Sequence, residues 1–88
     1  GQKKTYEAME GIAKSLPALY RTQKIVGKAR KGGFQTEVSG KKVSEEEIGE
    51  RLFEIVCLAQ ENGIDAEQAL STFTKKFIKK IKGTLSIL

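Results

Sequence analysis

Apolar residues recur at every third or fourth position through most of this chain, the repeat that gives a helix one apolar side. Ser15-Leu16-Pro17 is a start signal, since proline suits a first helical turn and serine an N-cap. Leu16, Leu19, Tyr20, Gln23, Val26 and Arg30 then fall on one stripe, which stops before Gly32-Gly33. Lys28, Arg30 and Lys31 sit where the helix dipole favours cations, so a helix is predicted over 15–31. Upstream, Thr5 to Gly11 reads as a shorter helical stretch using Tyr6, Met9 and Ile12. Ser44 with Glu47 forms a capping box, and Ile48, Leu52, Ile55, Val56 and Ala59 follow on one side, widened by Phe53 and Leu58. That helix is predicted over 45–62, ending at Asn62-Gly63. Asp65 caps a last helix over 65–82, with Gln68 at its box position and a stripe of Leu70, Phe73, Phe77 and Ile81 stopping at Gly83.

Between the first and second long helices the period changes from nearly four to two. Phe34 to Val38 alternates, and Ser39-Gly40 is a turn into Lys41-Lys42-Val43, which predicts a short β-hairpin at 34–43. Two strands alone are marginal in water, so the hairpin needs a helix or a partner chain to lean on. The apolar tail Thr84–Leu88 is expected to pack on something. The fold expected is all-α, a single domain over 1–88 built as a small bundle of three main helices and completed by oligomerisation.

Composition narrows the chemistry. The 88 residues carry 39% hydrophobic and 31% charged side chains, an ordinary globular balance. No apolar run approaches the ~20 residues of a spanning helix, and no signal-peptide pattern opens the chain; no membrane partner is expected. With no histidine, Ser-His and Cys-His nucleophile systems and histidine-ligated zinc are excluded. A lone cysteine, Cys57, points to a reducing, cytoplasmic setting and reads as a buried, inert thiol on a largely apolar helix.

Charge is unevenly distributed. Residues 1–31 carry eight basic and two acidic side chains, residues 32–62 three and seven, and residues 63–88 five and two. Glu46, Glu47 and Glu50 stand at spacings of three and four on one helix, a pattern able to hold Mg²⁺. The alternative is that acidic residues in a first turn merely answer the helix dipole, with Glu47 already engaged in capping. Likewise Lys75, Lys76, Lys79, Lys80 and Lys82 form either a solvated face or a phosphate-binding one.

Two segments carry a resemblance. Gly11 through Phe34, GIAKSLPALYRTQKIVGKARKGGF, resembles the opening of the catalytic domain of MazG nucleoside triphosphate pyrophosphohydrolases, with LPAL–R–QK and the closing GF as its specific part. Glu46 through Ile81 resembles that domain's last two helices. The resemblance implies an all-α fold that splits a nucleoside triphosphate into monophosphate and pyrophosphate, with Mg²⁺ held by carboxylates from two helices, usually within dimers. One helix brings Glu-Glu-x-x-Glu and the other Glu-x-x-Asp. Glu47 and Glu50 match the second motif, with Glu50 where the family has Asp. Glu46, Glu47 and Glu50 are the expected metal ligands, and Lys76 and Lys79 the expected phosphate contacts. Thr74 stands where the family tends to have Asn.

The departure lies between Phe34 and Glu46. The family's first acidic helix belongs there, across a few tens of residues, and this chain has about a dozen. Half of the carboxylate site is therefore expected to be missing. Three readings follow: a degenerate relative serving as an interaction or nucleotide-binding module, an enzyme whose Mg²⁺ site is completed across a homodimer or higher oligomer, and a basic nucleic-acid module using Lys75–Lys82. The third has no recognition motif, so nucleic acid is not the expected partner.

Overall fold

The computed structural model describes the backbone of residues 1–36 and 38–87, and the side chains among them except those of Ser86 and Ile87. Four helices follow in order: α1 (Gln2–Glu10), α2 (Ala18–Lys31), α3 (Glu45–Glu61) and α4 (Ala66–Ile87). The three long helices stand close to their predicted bounds, and the short upstream stretch becomes a full first helix.

Glycine ends both middle helices by the same device. Gly33 (φ +85°) and Gly63 (φ +65°) take the left-handed conformation that an L side chain resists. The turn brings the Phe34 N–H to the Ala29 carbonyl at 3.0 Å and the Ile64 N–H to the Ala59 carbonyl at 2.8 Å, closing the last turn on its orphan carbonyls. At the other end of α3 the Ser44 hydroxyl accepts the Glu47 N–H at 3.1 Å, and Asp65 accepts the Gln68 N–H at 3.1 Å. The Gln68 side chain does not reach back; its amide donates forward to Thr72 at 3.3 Å.

Several expectations need correction. Ser15 makes no cap, because α2 begins at Ala18 behind Pro17. Gly83 does not end α4, which runs on to Ile87. A mid-helix glycine costs only about 1 kcal/mol, and Leu85 repays it by packing on the core. Among the described residues no β-hairpin forms: residues 34–36 and 38–43 are irregular, and Glu37, within the expected first strand, lies outside the described residues, as does Leu88 at the tail. The connection is instead tied to α2 by Arg30, whose Nε donates to Thr36 at 3.0 Å and whose Nη2 donates to the Val38 carbonyl. Phe34 packs on the core, but Val38 is 69% exposed and has no apolar surface to lean on.

The core belongs to α1, α2 and α4. Met9, Ile25, Ala29, Ile78 and Ile81 are buried together, with Tyr6, Ile12, Phe34, Phe77 and Leu85 packed around them. On α2 the buried row is Ala18, Arg21, Ile25 and Ala29, while Leu19 and Tyr20 lie about half exposed on the flank. On α4 it is Thr74, Ile78 and Ile81, and Phe73 faces out. Leu19 and Tyr20 of the predicted α2 stripe and Phe73 of the α4 stripe therefore lie outside, whereas Ile81 is buried and Phe77 packs on the core as that stripe predicts.

Helix α3 brings no buried residue to this core. Its apolar row of Ile48, Leu52, Ile55 and Val56 is 40–59% exposed, and Cys57, expected to be buried, is exposed with it. The radius of gyration is 14.4 Å, against about 12 Å for a compact domain of this length. The accessible surface is 7096 Å², about 2,000 Å² above what a compact monomer of this mass presents.

Candidate functional site

The acidic residues singled out from sequence lie on the first two turns of α3. Glu46, Glu47 and Glu50 are all exposed, and the Ser44 hydroxyl donates to Glu47 Oε1 at 3.4 Å. Mg²⁺ takes an octahedral shell of oxygens. Among the described residues no three of His, Cys, Asp or Glu gather closely enough to hold a metal ion. One helix thus presents donors of the right chemistry without a facing set to complete them, and no reaction step can be derived through a metal held by this chain alone.

The two lysines part company. Lys76 borders a shallow depression with Ile64, Ala69 and Phe73 where α3 turns into α4. Lys79, three residues on, lines a cleft of about 320 Å³ on another side of α4, with Lys14, Arg21 and Lys75. Neither depression is lined by Glu46, Glu47 or Glu50. Thr74 is 3% exposed and its hydroxyl meets that of Thr22 at 2.8 Å, which ties α4 to α2 and turns it away from any ligand.

Sequence reasoning passed over Arg21, the residue with the most unusual surroundings. It lies between Ala18 and Ile25 on the buried row of α2 and is 8% exposed. Its Nε is buried with no hydrogen-bond partner. The available signal was its spacing, three residues after Ala18 and four before Ile25. It was hidden because the stripe was drawn one row over, through Arg30.

An all-α domain with a basic three-helix core and a separate acidic helix is the class that this geometry defines. The chain is similar to the nucleoside triphosphate pyrophosphohydrolases of Escherichia coli K12 and of Escherichia coli O157:H7, each 32% identical over 104 residues and 92% of this chain. The resemblance to MazG-type pyrophosphohydrolases therefore extends over nearly the whole chain. The chain spans 40% of the length of these relatives. The matched 92% of its 88 residues is about 81, so about 23 of the 104 aligned positions have no residue here. No family model matches the chain, and no solved structure does. Among the described residues no helix is long and apolar enough to cross a membrane.

Proposed function

We propose that this chain is a nucleoside triphosphate pyrophosphohydrolase-like domain that engages triphosphates but hydrolyses them weakly or not at all by itself. The observation that carries this reading is the state of α3. Among the described residues its carboxylates meet no facing acidic helix, and its apolar row is uncovered over Ile48, Leu52, Ile55 and Val56. The shortfall of about 23 aligned positions against the relatives is of the size of a missing helix with its connections. In this reading Glu46, Glu47 and Glu50 are half of a Mg²⁺ site. When bound, the ion would neutralise charge on the transferring phosphates; Lys79, and separately Lys76, would meet phosphate oxygens.

The missing half is supplied by a second copy in the form that turns over. The surface excess of about 2,000 Å² over a compact monomer exceeds the ~800 Å² each partner buries in a standard interface. A two-fold dimer would also repeat Glu46, Glu47 and Glu50 across one axis. The exposed row on α3 equally suits a second reading, a non-catalytic interaction module that docks through that face.

Pyrophosphate release from a panel of NTPs and dNTPs, with and without Mg²⁺, separates the two. Turnover lost in Glu50→Gln supports a completed site. A folded sample without turnover under any condition leaves the interaction module. A basic nucleic-acid module is the least supported reading, since α3 carries six glutamates against Arg51 alone.

A further inference from the structure

We propose that the cleft around Arg21 is an oligophosphate-binding site that works without a metal, taking the di- or triphosphate group of its ligand. For its choice of ligand the inference rests on the nucleotide reading above, but it does not require hydrolysis. The cleft lies between α4 and the α1–α2 region and holds Lys14, Arg21, Lys75 and Lys79 against one carboxylate, Glu10. That carboxylate is already engaged, accepting the Tyr6 hydroxyl at 3.2 Å.

Arg21 gives the site its character. A guanidinium costs several kcal/mol to desolvate unless its donors are met, yet Arg21 is 8% exposed and its Nε is unpartnered. A phosphate oxygen is the acceptor such a planar donor set fits best. Lys14, Lys75 and Lys79 are exposed at the rim, so they meet the outer oxygens and set the pull on a polyanion. Ser71 adds a hydroxyl at the same wall. Formal charge in the cleft is therefore three positive, which suits a triphosphate better than a single phosphate.

The same lining predicts what is ignored. A volume of about 320 Å³ is near the lower end for small-molecule sites, and no aromatic ring borders the cleft to stack a base. The phosphate tail is read and the base is left in solvent. Inorganic triphosphate and a nucleotide tail present the same chemistry, so the measurement includes both.

The test is calorimetric titration of the whole chain with inorganic triphosphate, ATP and GTP in EDTA. Binding is expected at one ligand per chain, with ATP and GTP within a few-fold of each other. Lys75→Gln and Lys79→Gln should each weaken it about tenfold, the loss expected for one charge-assisted contact. Lys42→Gln, in the α2–α3 connection, should leave it unchanged. Arg21→Lys, which keeps the charge but loses the fork, should also weaken it; if that variant does not fold, the two lysine variants decide. Absence of binding at millimolar triphosphate overturns the proposal. So does an equal loss in Lys42→Gln, or a more than tenfold preference for one base. Binding without turnover sustains this site and removes only the hydrolytic reading. Turnover with a KM unmoved by Lys75→Gln and Arg21→Lys removes only this site.

Discussion

The Glu67 carboxylate on α4 accepts the backbone N–H of Ala18, the first residue of α2, at 2.5 Å. Pro17 has no side-chain oxygen to offer that end, so a helix forty-nine residues away supplies the anion that its dipole and orphan donor require. Glu67→Ala should lower stability by about 1–2 kcal/mol, in the range of a lost N-cap. Urea denaturation measures it. An unchanged midpoint with an unchanged slope would show that solvent satisfies Ala18 equally well.

Gly32 ends α2 directly against Thr5 of α1. A Cβ at this position would overlap the Thr5 side chain down to its own Cβ, leaving no flexible end to yield. Gly32→Ala should therefore cost about 1–3 kcal/mol as an overpacking change. Thr5→Ala, made in the same background, should restore most of it. Thermal melts of the two single variants and the double read this directly; additive losses would mean that the contact is not the cause.

Leu52 and Ile55 belong to a row that looked like core in the sequence and is 40% and 59% exposed in the chain. In a monomer, Leu52→Ala should cost well under the ~2–5 kcal/mol of a core truncation. If the row is the contact between two copies, Ile55→Asp should yield a folded monomer at concentrations where the parent sediments as a dimer. A parent that is monomeric at all concentrations removes α3 from oligomerisation.

Tyr6 is the residue through which alkaline pH acts on the core edge. Its phenol pKa is raised, first by desolvation and then by its hydrogen bond to Glu10 and that residue's charge. A folded-state pKa above the unfolded one, near 10, means the neutral phenol is favoured by folding. Its contribution is complete below the unfolded value and is lost as pH rises through the folded one. Tyr6→Phe should flatten that part of the alkaline stability profile; a profile of unchanged shape would place the loss elsewhere.

What the sequence made legible was local. Ser44, Asp65, Gly33 and Gly63 act within four residues of themselves, so their helix ends could be read from spacing. What it hid depended on neighbours far along the chain. Leu19 and Tyr20 look like better core than Ala18 and Ala29, but small residues win where helices crowd together. Phe73 lost its place to Thr74 because Thr22 stands opposite. Cys57 is exposed because α3 meets only α4 and buries none of its residues. Lys76 and Lys79 are indistinguishable as letters and stand only about 60° apart around the helix axis, yet they border different depressions because different neighbours flank each. Arg21 could be recognised only once its row was known to be the inner one.

The arrangement of the core also fixes where this chain can change length. Because α1, α2 and α4 hold each other without α3, the span that follows Phe34 and runs to Asp65 is an excursion that leaves the core and returns to it. Lengthening such an excursion adds only a logarithmic closure entropy, about 0.6 kcal/mol for each doubling. A whole additional helix could be gained or lost between α2 and α3 while Met9, Ile25 and Ile81 kept their places.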